Sequence, residues 1–125
     1  MSAWTGDELD RIGAADELEM APKRRDGALR KAVPIWVVRD GDDLFVRAAY
    51  GPGTGWHRVA RRSRAGRIRA GGVERDVTME DVEADGALAD RLDDAYRAKY
   101  GRYGRIVDTT TSADARALTL RLVPV

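Results

Sequence analysis

The residues of this chain that could do chemistry are mostly arginines and glycines, concentrated in two stretches. The first is "KRRDGALRK", Lys23 to Lys31; the second is "YGPGTGWHRVARRSRAGRIRAGG", Tyr50 to Gly72. A guanidinium grips a phosphate or carboxylate through two parallel N–H bonds, and glycine lets backbone amides approach an anion closely. The pattern therefore suits a clamp for an anionic group. Lys23, Arg24, Arg25, Arg30 and Lys31 form one candidate cluster, and Arg58, Arg61, Arg62 and Arg64 form another. Between them, Tyr50 to Gly55 must bend, and Trp56 offers a flat aromatic surface, so Tyr50, Gly51 and Trp56 are candidates to border the bound molecule. Trp56 opens an apolar face, and core packing is the alternative for it.

Other chemistries find less support. His57 is the only histidine, and no Asp, Glu or Cys stands around it at ligand spacing, so no metal site is expected. A solvated loop histidine is the expectation there, with an acid–base role as the alternative. With no cysteine, disulfides, thiolate metal sites and a cysteine nucleophile are excluded. Ser63 lacks the strand-turn-helix glycine context of a hydrolase serine, and the glycine loop lacks the terminal Lys-Ser/Thr of a nucleotide P-loop. Tyr96, Tyr100 and Tyr103 could line a pocket, although helical core packing explains the first two more simply. No catalytic residue is assigned.

Charge is segregated along the chain although the net charge is only +1. Residues 1–20 carry six acids and one base, residues 56–75 seven bases and one acid, and residues 76–94 eight acids and one base. These blocks either pair with one another across the surface or leave a basic site for an anionic ligand. Of 22 basic residues 19 are arginine, a skew that a GC-rich genome produces as readily as a need for bidentate contacts. The N-terminus is acidic where a signal peptide needs positive charge, and no stretch approaches membrane-spanning length, so the expectation is a cytoplasmic protein without membrane partners.

The elements that must position these residues are legible. A length of 125 residues with 43% apolar content suits one domain, 1–125, around one core. Thr5 with Glu8 forms a capping box ahead of Leu9 and Ile12, which predicts a helix over 6–14. "ELEMAPKRR" predicts a strand through Leu18 and Met20 that ends in a turn at Asp26-Gly27. "VPIWVVRDGDDLFVRAAY" predicts a hairpin with strands near 33–39 and 44–49. Trp56, Val59 and Ala60 fit one face of a short helix, with Arg58, Arg61 and Arg62 off it, and a strand is the alternative there. Ile68 and Ala70, then Val73, Val77 and Val82, mark a second hairpin turning at Gly71-Gly72. From Asp85 a helix places Leu88, Leu92, Ala95, Tyr96 and Lys99 near one face, with Gly101 as its C-cap. A loop or short turn around "TTTSADA" leads to a last strand near 117–123. Five or six strands joined mostly by tight turns imply an α+β fold built on an antiparallel sheet, and closure into a small barrel removes exposed edges.

The segments Lys23 to Pro34, Asp40 to Val46 and Trp56 to Gly72 resemble the deazaflavin-dependent nitroreductase branch of the FMN-binding split β-barrels, over roughly residues 17–123. The chain is also similar to a small bacterial family of unknown function related to those barrels, in which "RIRAGG" recurs. The resemblance implies a small split barrel, FMN or a deazaflavin as cofactor, a homodimer with the cofactor in a shared cleft, and reduction of small electron-poor substrates. Departures are visible. Asp26 stands where the branch has serine, the interval from Arg30 to Pro34 is one residue longer, and Val59-Ala60 replace an Asn-Leu pair. Two alternatives stay open: a cofactor-free module of the same fold that binds a small molecule or a protein, and a nucleic-acid binder using the arginines of 58–69. The near-zero net charge and scarcity of further aromatics argue against nucleic acid.

Overall fold

The structure is a computed structural model that describes residues 3–49 and 55–125. Helix α1 (Gly6–Ala14) carries the expected capping box: the Thr5 hydroxyl accepts from the Glu8 amide at 3.1 Å, and the Glu8 carboxylate accepts from the Thr5 amide at 2.9 Å. Each bond satisfies an amide that would otherwise have no partner. Leu9 and Ile12 face inward from this helix.

The sheet has seven antiparallel strands: β1 (Leu18–Pro22), β2 (Val33–Ile35), β3 (Val37–Asp40), β4 (Asp43–Arg47), β5 (Ala65–Ala70), β6 (Val73–Asp81) and β7 (Thr119–Pro124). Their order is β2-β1-β5-β6-β7-β4-β3. The two edge strands, β2 and β3, are separated in sequence by Trp36 alone. The chain thus carries one edge directly to the other, and the sheet rolls into a nearly closed barrel. The count of seven corrects the expected five or six. The apolar run over 33–39 reads as one strand, yet it divides at Trp36: Val33 pairs with Met20, whereas Val37 pairs with Val46. One straight strand cannot serve both edges of a curled sheet, so it breaks where the barrel closes.

Two cores hold this arrangement. Leu18, Met20, Val37, Leu44, Val46, Ile68, Leu120 and Leu122 fill the barrel interior. A second cluster lies outside it, where Val38 and Phe45 pack against Leu92, Tyr96 and Tyr100 of helix α3 (Ala87–Tyr100). β4 is therefore buried on both faces. On its outer face the side chain of Arg47 is sealed beneath α3, where it donates to Asp93 at 2.5 Å, to the Thr110 carbonyl at 2.6 Å and to the Thr119 hydroxyl at 2.9 Å. Asp93 also pairs with Arg116 at 2.7 Å. Such a network survives burial because nearly every donor finds an acceptor.

Other turns follow residue chemistry. Gly71 and Gly72 have φ of 58° and 82°, the left-handed pair that a two-residue hairpin turn requires. Gly101 is the C-cap of α3, as expected, but in the right-handed conformation with φ −57°, and the chain runs on through a 3-10 turn over Gly101–Tyr103. The turn ends at Gly104, with φ 61°. Two short helices, α4 (Arg105–Thr110) and α5 (Ala113–Ala117), then occupy the span expected to be a loop or short turn. At six and five residues they show too little of the helical period to be seen in sequence. No helix among the described residues is long and apolar enough to cross a membrane.

Candidate functional site

The site is organised by helix α2 (Gly55–Ser63) and the turn that follows β1. Trp56, His57 and Ala60 turn inward from α2, while Arg58, Arg61 and Arg62 face out and Val59 is half-buried. Alternation of this kind is what a helical period of 3.6 does to "WHRVARR". The turn is built by its own backbone: the Arg24 amide donates to the Ala28 carbonyl at 2.7 Å and the Gly27 amide to the Arg24 carbonyl at 2.9 Å. Asp26 reinforces it, accepting from the Ala28 amide at 3.0 Å. The carboxylate that replaces serine in the resembling branch thus serves the turn, and among the described residues no arginine pairs with it.

Turn and helix enclose a recess of about 630 Å³ lined by Lys23, Arg24, Arg25, Gly27, Arg58, Val59, Arg62 and Ser63. Its five cations come from both clusters singled out in the sequence, and no carboxylate lines it. Among the described residues none of the five has a carboxylate within 4.0 Å, although thirteen other arginines do. Mutually repelling cations held around a concavity lower the free energy of an anion placed there. Arginine supplies the paired donors that a phosphate accepts.

A second cavity, about 610 Å³, opens where the barrel edges meet. Val33, Pro34, Ile35 and Trp36 form one wall, Trp56 another, and Tyr103 and Ile106 the rim. Trp36 is fixed by stacking on Tyr100, with ring centroids 4.1 Å apart and planes within 3°, and Tyr103 lies 5.4 Å from it. Tyr100 is itself anchored, accepting from the Val37 amide at 3.1 Å and donating to the Asp16 carbonyl at 2.8 Å. Burial pushes its phenol up to about 12. The cavity has the volume typical of a small-molecule site, and its lining is mixed, since Asp16, Glu17, Arg47 and Thr110 join the apolar residues; α2 contributes to it through Trp56.

Residues 8–122 match the family described as "Uncharacterized protein conserved in bacteria (DUF2255)". The chain belongs to that family. No curated protein matches it in sequence. Among solved structures it is similar to a putative pyridoxamine 5'-phosphate oxidase from Listeria innocua (TM-score 0.64, 14% identity, 93% of this chain and 89% of that one). It is also similar to HutZ, a heme storage protein from Vibrio cholerae (TM-score 0.61, 15% identity, 99% and 92%). A third likeness is to a FAD-binding protein from Mesorhizobium loti (TM-score 0.55, 14% identity, 99% and 92%). At these identities the likeness establishes the split-barrel fold, which is the fold that the sequence resemblance implied.

Of the candidate residues, Lys23, Arg24, Arg25, Arg58 and Arg62 meet at the recess and Trp56 lines the aromatic cavity while also packing into the barrel core. Arg30 and Lys31 line neither cavity. The Arg30 guanidinium instead lies over Gly55, where a Cβ would meet it at 2.6 Å. Arg61 stands 3.8 Å from Asp81, and Arg64 is held by both oxygens of that carboxylate at 2.7 and 2.9 Å. Tyr50 and Gly51 lie outside the described residues. Arg67 and Arg69 are paired with Asp76 and Glu19, so the arginine run of 58–69 is divided between members that line the recess and members bound to carboxylates.

His57 corrects an expectation. It is buried in α2 rather than solvated in a loop, with Nε2 3.0 Å from the Leu118 carbonyl. Burial holds its pKa below the ordinary value, more than the Leu118 carbonyl and Asp81 restore. Sequence reading also missed Trp36, the stacked wall of the aromatic cavity, and Arg47. Trp36 carried a usable signal, since it is the one aromatic in the run over 33–39.

Proposed function

We propose that this protein binds FMN or a deazaflavin, holding the cofactor's phosphate with the basic recess and its ring against Trp36 and Trp56. The observation that carries this reading is the convergence in one recess of five cations without carboxylate partners among the described residues, on a helix whose Trp56 lines the aromatic cavity. The donor set fits a phosphate, and the aromatic walls fit a flat ring. Bound there, the cofactor supplies hydride chemistry, which we assign to reduction of small electron-poor substrates. The chain's own part is to hold the anion through Arg58, Arg62 and the Lys23 to Arg25 turn, and to exclude water with Trp36, Trp56 and Ile35. The homodimer belongs to the same proposal: Tyr103 and Ile106 are apolar side chains exposed at the cavity rim, and light scattering of the purified protein tests it.

The test compares FMN with riboflavin, which has the same ring and no phosphate. FMN is expected to raise the melting temperature and riboflavin to raise it much less, since a ligand that binds only the native state stabilises it. Arg58→Ala with Arg62→Ala should erase the difference. Equal shifts from the two compounds would show that the recess does not take the phosphate. No shift from either, nor from a deazaflavin, would favour the cofactor-free module.

A further inference from the structure

The basic recess continues past the phosphate clamp. A shallow surface depression of about 340 Å³ is lined by His57, Arg58, Arg61 and Arg62, and Arg58 and Arg62 line the larger recess too. These two arginines sit one helical turn apart on α2, so they form a shared wall with cations on both sides of it. On one side stand Lys23, Arg24 and Arg25; on the other stands Arg61.

Arg61 is available because of its neighbour. Asp81 is the only carboxylate within 4.0 Å of it among the described residues, and the separation is 3.8 Å. Both oxygens of Asp81 are already taken by Arg64 in a bidentate pair at 2.7 and 2.9 Å. Arg64 thereby neutralises the carboxylate, and the charge on Arg61 remains in excess. His57 adds no positive charge on that side, since burial favours its neutral form. Six cations around two adjoining hollows exceed what one phosphate monoester needs.

We infer that the recess takes a tail with two adjacent anionic groups, a diphosphate, with Arg58 and Arg62 contacting both and Arg61 contacting only the second. This rests on the reading of the basic recess as a flavin's phosphate clamp and departs from it in one respect, replacing the single phosphate of FMN with the diphosphate of a flavin dinucleotide.

Ring-free anions separate the two ideas. Calorimetric titration of the full chain with inorganic phosphate and with pyrophosphate, at about 0.1 M salt where surface fields are only partly screened, should show pyrophosphate binding on the order of tenfold tighter, the gain from one further charge-assisted hydrogen bond. Because pyrophosphate also carries more charge, the deciding variant is Arg61→Gln, an exposed position that folding tolerates. It should lower pyrophosphate affinity and leave phosphate affinity unchanged. Equal binding of the two anions, or an equal loss for both in Arg61→Gln, overturns the inference. If that happens while FMN still outperforms riboflavin, the cofactor reading stands. If pyrophosphate binds as expected and no flavin does, the diphosphate site stands and the flavin is wrong.

Discussion

Arg47 and Arg58 carry the same guanidinium into opposite surroundings. Arg47 lies under α3 with its side chain fully covered, and it meets Asp93, Thr119 and the Thr110 carbonyl within 2.9 Å. Arg58 is exposed at the rim of the recess and of the depression beside it and has no carboxylate within reach among the described residues. A buried charge must be paired within the chain because water cannot solvate it. A surface charge has no such need, and where several converge without partners the arrangement costs a little stability and gains affinity for an anion. The contrast teaches that the arginine count says little by itself. What separates a guanidinium committed within the chain from one left open to solvent is whether the fold supplies its carboxylate.

The largest effect should come from breaking the buried side of this comparison. Asp93→Ala leaves Arg47 without a counter-ion beneath α3, and uncompensated buried charge costs roughly 3–5 kcal/mol. Arg47→Met should cost less, because Asp93 keeps Arg116 at 2.7 Å. Urea denaturation measures both. Removing Arg58 should by contrast leave stability within roughly 0.5 kcal/mol, as exposed substitutions do. A destabilisation by Arg58→Ala as large as that by Asp93→Ala would erase the distinction.

His57 provides a second contrast, between α2's inner face and its outer one. Its folded pKa is depressed by burial, so the unfolded chain binds a proton that the folded chain refuses. The stability it contributes is present above about pH 6.5, its ordinary value, and is lost as pH falls through the lower folded value. Melting temperature should therefore drop between pH 6.5 and 5 more steeply in the native chain than in His57→Gln. Identical profiles would mean that the ring is hydrated in solution.

These contrasts also mark what could be read in advance. The capping box at Thr5, the Gly71-Gly72 hairpin and the face of α3 through Leu92 and Tyr96 are local patterns, and local patterns survive in the sequence. Lys23 to Arg25 and Arg58 with Arg62 stood out by residue type as members of two clusters, whereas their lining of one recess depends on where α2 packs beside the turn after β1. The break at Trp36 was hidden because both halves of 33–39 have the same β-forming composition, and only the curvature of the whole sheet divides them. The burial of His57 and Arg47 was hidden for a related reason. Polar residues look like surface until the helix or strand that covers them is placed, and Arg47 is covered by α3 from forty residues downstream.

The smallest expected change tests the pair that keeps Arg61 spare. Arg64 is the one non-glycine with positive φ, 58°, among the described residues, and it ends α2 by donating its amide to the Ala60 carbonyl at 2.7 Å. Glycine is the usual residue there, and a side chain in this conformation costs about 1 kcal/mol. Against that, Arg64 gains an exposed bidentate pair with Asp81, worth about 0.2–1 kcal/mol. Arg64→Gly should thus change stability by less than about 0.5 kcal/mol in either direction, the two contributions nearly cancelling. Its consequence for binding should be the larger one. With Arg64 gone, Asp81 is released to Arg61, now 3.8 Å away, and the preference for pyrophosphate over phosphate should shrink as it does in Arg61→Gln. If Arg64→Gly keeps the full preference, Asp81 does not govern Arg61, and the cations of the recess act independently of the strand that borders them.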